Sequence, residues 1–292
     1  MVLIIICFVR QKYGFSAIAY LYHMILYPPA KINLGLHILA KRQDAYHEIE
    51  TIMAQVPLFD ILEITEDQQD YFLQTGIIVP PDDKPNLCER AVSLLRSKTN
   101  FPKVRIHLRK QIPIGAGLGG GSADASYTLM GLNELFDLGF SVAELASMAS
   151  QLGSDCPFFI QGGLQLAKGR GEILQKFPSF NRRVQLVLCN PRINVSTAQA
   201  YSGVIPNSSR KSIQEICEEK KLDSLQNDFE PSVFKAFPAI AELKEKLRSA
   251  GAFYAAMSGS GSSVFALFDL EQDFNLNGIE PQTIIYSGIW DF

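Results

Sequence analysis

Clustered basic charge is missing from this 292-residue chain: 27 Lys and Arg stand against 30 Asp and Glu, for a net charge of -3. A nucleic-acid surface needs Lys and Arg gathered on one face, so that partner class is excluded. Cysteine is sparse too. Cys7, Cys88, Cys156, Cys189 and Cys217 form no CxxC pair. That argues against a zinc site or a disulfide framework and fits a reducing cytoplasm. The four histidines show no HExxH spacing. Long apolar runs are absent as well. Val2 to Val9 is apolar, but Arg10-Gln11-Lys12 ends it short of a bilayer span. A signal peptide would want its positive charge first and a small-residue cleavage site after, and neither is clear here; no membrane partner is expected. No internal repeat or low-complexity tract occurs. What remains is 47% hydrophobic and 20% charged, the mixture of an ordinary soluble globular protein. The length suits about two domains. Nothing in the sequence sets an oligomeric state.

Residues 1–23 do not resemble the rest and read as an upstream extension outside the fold, with Met24 as a second start. From Ala30, Ile32, Leu34, Leu36 and Ile38 alternate with Lys31, Asn33, Gly35 and His37. That is the period of a half-buried strand, with Lys31 and Asn33 on one face. Further strands are expected at Ile49–Val56, Ile61–Ile64 and Val104–Leu108, with a helix at Asn86–Leu95. A glycine loop then opens into a helix whose stripe is Ala125, Leu129, Leu132 and Phe136. The next helix has Ser141 and Glu144 as a capping box and Gly153 as its C-cap glycine. Gly162 to Leu174 reads as extended and turn-rich. The pattern resets at Ser179–Arg183, which divides the chain into domains 24–180 and 181–292. The second domain carries a strand at Val184–Leu188 and helices near Ile213–Lys220 and Ala239–Ser249. Its last two strands, Phe253–Met257 and Ser263–Phe268, flank Ser258-Gly-Ser-Gly-Ser262. This mixed order implies α+β architecture rather than regular βαβ winding.

The loop Pro113-Ile-Gly-Ala-Gly-Leu-Gly-Gly-Gly-Ser-Ala123 is the strongest local signal. Glycine costs conformational entropy, so a cluster implies backbone that turns tightly or touches something. A helix start offers unpaired N–H groups and a positive dipole end, which together bind phosphate. A Walker A loop needs Lys after its last glycine, and Ser122 stands there instead. Gly115, Gly117 and Gly120 match a Rossmann fingerprint formally, but the surrounding βαβ context is missing. A flexible loop before a helix is the third reading. Taken alone, Lys31 reads as a solvated strand residue and Asp155 as a turn residue before Pro157. Tyr46 could pack on a strand edge, and Ser258–Ser262 could be a plain hairpin turn.

Three motifs in order change that balance. Pro29-Ala-Lys-Ile-Asn-Leu-Gly35, the glycine loop and Met257-Ser-Gly-Ser-Gly-Ser-Ser263 together resemble the GHMP kinases, from Met24 to the C-terminus. The resemblance implies a two-domain fold with the active site in the cleft between the domains. The N-terminal domain would be ribosomal-protein-S5-domain-2-like and bind nucleotide. The C-terminal one would be a ferredoxin-like α/β sandwich on the substrate side. Four stretches look like the branch of the family acting on cytidine diphosphate-linked methylerythritol: Lys41-Arg-Gln-Asp-Ala-Tyr-His-Glu48, Leu152-Gly-Ser-Asp-Cys-Pro-Phe-Phe159, Gly169-Arg-Gly-Glu172 and Asn227-Asp-Phe-Glu230. Ala45 departs from that branch's usual glycine and Cys156 from a common valine. Ala45 bears on the geometry of the cytidine site, and Cys156 reads as a small buried hydrophobe.

The resemblance then assigns roles. ATP with Mg²⁺ would be the cofactor, with no protein ligand assigned to the metal. Pro113, Ile114, Gly115, Ala116, Gly117, Leu118, Gly119, Gly120, Gly121, Ser122 and Ala123 would hold the ATP phosphates. Asp155 would be the general base, and Lys31 beside it would keep the carboxylate ionised and neutralise the transferring group. Asn33, Tyr46, His47, Thr197, Tyr201, Ser258 and Gly259 would contact substrate. Tyr46, His47 and Tyr201 would take the cytosine. The reaction implied is transfer of the ATP γ-phosphate to the substrate's 2-hydroxyl. Two alternatives stand beside it: a kinase for another small alcohol of the homoserine or mevalonate type, or a non-catalytic nucleotide-binding regulator.

Overall fold

The computed structural model describes residues 5–6, 23–78, 85–219 and 221–292. Apart from Ile5–Ile6 and His23, the expected extension over residues 1–23 lies outside these described residues. In chain order the first elements are β1 (Ile5–Ile6), β2 (His23–Leu26), β3 (Pro29–Lys41), β4 (His47–Phe59), β5 (Ile61–Glu66) and β6 (Tyr71–Gly76). Then follow α1 (Leu87–Arg96), β7 (Val104–Lys110), α2 (Gly120–Leu135), α3 (Val142–Ser150) and α4 (Cys156–Gln161). The next group is β8 (Leu164–Gly169), β9 (Ile173–Lys176), β10 (Arg183–Cys189), α5 (Thr197–Ser202) and α6 (Ile213–Glu218). The chain ends with α7 (Glu230–Ala236), α8 (Pro238–Ser249), β11 (Tyr254–Met257), β12 (Val264–Phe268) and β13 (Ile284–Asp291). Among the described residues no helix is long and apolar enough to cross a membrane.

Two compact units emerge, each built from several chain segments. One comprises 1–30, 58–112 and 120–161, and the other 31–57, 113–119 and 162–292. The boundary expected at 180/181 falls inside the second unit's last segment.

The first unit has a sheet in the order β1-β2-β5-β7-β6. Its pairs are antiparallel except β6 with β7. β7 alternates cleanly: Val104, Ile106 and Leu108 are buried, whereas Arg105 and Arg109 are exposed. Helix α1 begins at Asn86, whose side chain accepts from Cys88 N while Glu89 reaches back to the cap. Ser141 and Glu144 start α3 in the same reciprocal way. Gly153 does not serve as a C-cap. Helix α3 ends at Ser150 with Gln151 as its cap, and Gly153 is absent from the left-handed positions. Its small size matters instead, because a Cβ there would stand 3.3 Å from Cys156 Sγ. Helix α2 also departs from the expected single stripe. Asp124, Ser126, Tyr127 and Thr128 are buried along with Ala125, Leu129 and Leu132.

The second unit holds two sheets, in the orders β3-β4-β8-β9 and β11-β12-β10-β13; β4 with β8, β8 with β9 and every pair of the second sheet are antiparallel. Its core joins Leu36 and Ile38 of β3 to Phe229, Val233, Leu247 and Met257. Strand β3 is buried on both faces rather than one, since Lys31, Asn33 and His37 are all nearly inaccessible. Burying a polar row is costly unless it is hydrogen-bonded. Here Lys31 Nζ donates to Asn33 Oδ1 at 2.6 Å, and Asn33 Nδ2 donates to Thr51 Oγ1 at 3.0 Å. Thr51 Oγ1 in turn donates to the Gly35 carbonyl at 2.5 Å. The alternation that suggested a solvated face belongs to a buried polar ladder.

Candidate active site

In the second unit the three motif segments meet. Lys31 N donates to the Leu118 carbonyl at 2.9 Å, joining β3 to the glycine loop. Ser258 Oγ donates to the Gly117 carbonyl at 2.9 Å, and Ser263 N to the Ala116 carbonyl at 3.2 Å. Gly117 has φ +77°, and a Cβ on it would lie 1.9 Å from the Ser258 carbonyl oxygen. Only glycine fits that crossing. The turn after β11 is held from behind by Asn227, whose Nδ2 donates to the Met257 and Gly259 carbonyls, each at 2.8 Å. Glu230 accepts from Met257 N at 2.9 Å and from Lys244 Nζ at 2.6 Å. Asn227 and Glu230 were legible only as a resembling stretch; their spacing gave no sign that they brace the Ser258 turn.

The expected cytidine contacts lie in the same unit. Tyr46 is 55% exposed, and the Arg170 guanidinium sits 4.9 Å from its ring centre. The adjacent His47 ring stacks on Tyr201 with centroids 4.6 Å apart and planes 20° from parallel. Tyr201 meets the edge of Phe229 at 4.7 Å. Burial, helped by the Lys41 ammonium, lowers the His47 pKa, so the ring is neutral at pH 7 and offers one donor and one acceptor. Thr197 opens α5, which Ser196 caps through a reciprocal bond with Gln199. The turn bearing Tyr46 is pinned by Arg42, which reaches Glu48 at 2.8 Å, while Glu48 accepts from Gly169 N at 3.1 Å. The Gly169–Glu172 stretch therefore supports the turn between β3 and β4. Ala45 adopts φ +66°, the left-handed region where glycine carries no penalty.

The first unit carries the helix start and the turn with Asp155. Helix α2 begins at Gly120, so Gly120, Gly121, Ser122 and Ala123 form its first turn, with unpaired N–H groups. Asp155 occupies the turn directly before α4, with Pro157 in the first helical turn. Ser126 ties the two features together. Its Oγ lies 2.8 Å from both the Ser122 and Cys156 carbonyl oxygens. Burial raises the Cys156 thiol to about 11, so it stays a neutral apolar filler. Among the described residues no cluster of three His, Cys, Asp or Glu side chains could hold a metal ion.

These features agree with comparisons to known proteins. The model of the GHMP kinases N terminal domain matches residues 86–163, and that of the GHMP kinases C terminal matches 205–275. The chain belongs to the GHMP kinases, and with that family come ATP use and a small-molecule substrate. A relative from Azobacteroides pseudotrichonymphae, a 4-diphosphocytidyl-2-C-methyl-D-erythritol kinase, is 47% identical over 249 residues, 84% of this chain and 93% of its own. One of the same name from Cytophaga hutchinsonii is 44% identical over 267 residues, 90% of this chain and 99% of its own. A crystal structure of 4-(cytidine 5'-diphospho)-2C-methyl-D-erythritol kinase superimposes with a TM-score of 0.72 at 35% identity, covering 84% of this chain and 90% of the other. The homoserine kinase of Cytophaga hutchinsonii, at 18% identity and TM-score 0.65, shares the fold.

Proposed function

We propose that this protein transfers the γ-phosphate of ATP to the 2-hydroxyl of 4-diphosphocytidyl-2-C-methyl-D-erythritol, a step of non-mevalonate isoprenoid precursor synthesis in the cytoplasm. The observation that carries the reading is the meeting of the three motif segments at Lys31, Gly117 and Ser258. The names of the relatives support the choice of acceptor.

In this reading the backbone N–H groups from Gly119 to Ala123 receive the phosphates, because a helix start favours anions. Asp155 orients the 2-hydroxyl and takes its proton as the new P–O bond forms and the bond to ADP breaks. Phosphoryl transfer passes through a loose transition state, so alignment and late proton acceptance are sufficient. Lys31 neutralises charge on the transferring group. Asn33, with its amide oxygen on Lys31 and its amide nitrogen on Thr51, is held in one orientation for the substrate. The cytosine stacks on an aromatic face at Tyr46 or Tyr201, and His47 reads its edge. Thr197, Ser258 and Gly259 line the acceptor. Magnesium enters with ATP as part of the substrate.

Incubation with ATP and 4-diphosphocytidyl-2-C-methyl-D-erythritol should yield ADP and a product with phosphorus on the 2-hydroxyl, read by ³¹P NMR. CDP should compete with the acceptor, whereas homoserine and mevalonate should not turn over. No phosphorylated product from the cytidine substrate, or turnover of the other alcohols instead, would overturn the reading. Asp155→Asn should lower kcat by about a thousandfold while leaving ATP affinity in place. Turnover within a few-fold of the parent would remove Asp155 from the base role.

A further inference from the structure

Lys110 closes β7 with its ammonium buried between two acids. It donates to Asp124 Oδ2 at 2.7 Å and to Asp60. The three side chains are 4%, 2% and 0% exposed, in the order Lys110, Asp124 and Asp60. One cation with two ionised carboxylates leaves a net negative charge out of reach of water. Such a charge is costly, so one acid must hold a proton more tightly than a free carboxylate does.

The hydrogen bonds say which acid. Asp60 Oδ1 also accepts from Gln111 N at 2.5 Å and from Ile112 N at 2.9 Å. With Lys110, that gives Asp60 three donors. Asp124 accepts from Lys110 alone, and its Oδ1 is buried without a partner. A proton on Asp124 is within reach of Asp60 and can be shared with it. Burial, set against the pull of Lys110, pushes Asp124 up to about 7. Cys88 of α1 also faces Asp124, and burial keeps its thiol neutral.

The triad lies directly beneath the start of α2. A Cβ on Gly120 would stand 2.8 Å from Lys110 Nζ and 2.9 Å from Ile112 Cγ2. Asp124 sits one turn further along the same helix.

We propose that Asp124 is a positioning residue for the nucleotide. Uncharged, it leaves the buried triad neutral under the helix start that receives the phosphates; ionised, it sets a negative charge there and weakens nucleotide binding. This rests on the glycine loop being the ATP site. Asp124 ionises as pH rises through about 7, so affinity for ATP should fall over that range. Charges act strongly across a dry interior, so the effect reaches the loop without contact with ATP.

The test compares the parent with Asp124→Asn, an isosteric copy of the neutral acid. ATP's own phosphate ionisation is common to both and cancels in the ratio of their dissociation constants. That ratio should be near unity at pH 6 and reach about fivefold by pH 8.5, tighter in the variant, which corresponds to roughly 1 kcal/mol. The ratio of kcat values at saturating ATP should stay flat with pH. Asp60→Asn gives an independent arm should Asp124→Asn fold poorly. With one carboxylate left for Lys110, Asp124 stays ionised in a neutral pair, and the parent's pH dependence should vanish again. A ratio that does not change with pH in either variant overturns the role of Asp124. Gly121→Asp separates this from failure of the site itself, since a Cβ on Gly121 meets only Leu87 Cδ1, at an ordinary contact distance of 3.5 Å, and the new carboxylate would repel phosphate at the helix start. If Gly121→Asp leaves ATP affinity intact, the loop is not the ATP site and the inference falls with it. If it abolishes binding while the ratio stays flat, only the role of Asp124 fails.

Discussion

Ser126 in the first unit and Asn227 in the second perform the same task by different means. Each places one side chain against two backbone carbonyls, Ser126 joining its own helix α2 to the start of α4 and Asn227 bracing the turn after β11. Ser126 Oγ approaches the Ser122 and Cys156 carbonyls, both at 2.8 Å. Asn227 Nδ2 approaches those of Met257 and Gly259, both at 2.8 Å. A hydroxyl has one proton and must divide it, whereas an amide nitrogen has two and can give each carbonyl its own. Asn227 Oδ1 adds a third bond, accepting from Phe229 N at 3.0 Å. The Ser258 turn therefore receives two separate side-chain donors, while the Cys156 carbonyl beside Asp155 shares one hydroxyl proton with the Ser122 carbonyl.

The comparison can be broken by deletion. Asn227→Ala strands two buried carbonyls and one N–H, and should cost about 3 kcal/mol in urea unfolding. Ser126→Ala removes one shared proton and should cost about 1 kcal/mol. If Ser126→Ala proved the more destabilising, the ranking of the two braces would be reversed. Activity should rank the other way for each kcal/mol lost. Loosening the Asp155 turn should lower kcat about tenfold in Ser126→Ala, since small misplacements of a reacting group are costly. An unchanged kcat would mean that the turn is positioned without the hydroxyl. The smallest effect concerns a turn with neither brace. Ala45 sits at φ +66°, and Ala45→Gly relieves about 1–2 kcal/mol of strain, offset in part by the greater freedom of glycine when unfolded. A net gain of about 0.5 kcal/mol should appear as a small rise in Tm. A fall would mean that Ala45 contributes packing that outweighs its strain.

Much of the fold was legible because it rests on local pattern. The capping box at Ser141 marks its helix start, alternation located β3, and the expected strands at Ile49–Val56, Ile61–Ile64 and Val104–Leu108 fall within β4, β5 and β7. The six-residue helices α4 and α5 are too short to display a helical period, and β13 reads Ile-Ile-Tyr-Ser-Gly-Ile-Trp-Asp without clean alternation. Burial was less legible. Polar residues alternating on β3 suggested solvent, yet Lys31, Asn33 and Thr51 satisfy one another inside the protein. Pattern reports chemistry along the chain, and whether a polar row meets water depends on residues distant in sequence.

The candidate site divides in the same way. By itself the sequence determined that a glycine-rich segment opens a helix, that Lys31 and Asn33 share a strand face, and that Asp155 sits on a turn before Pro157. Each follows from spacing, steric freedom or a local hydrogen bond. Only the tertiary structure decided that Gly117 meets Ser258, that Asn227 and Glu230 brace that meeting, and that Lys110 brings Asp60 and Asp124 together beneath the helix start. These contacts join residues from 14 to 141 positions apart. Charges and carbonyls that look independent along the chain become coupled once burial removes the water that would have served each one separately.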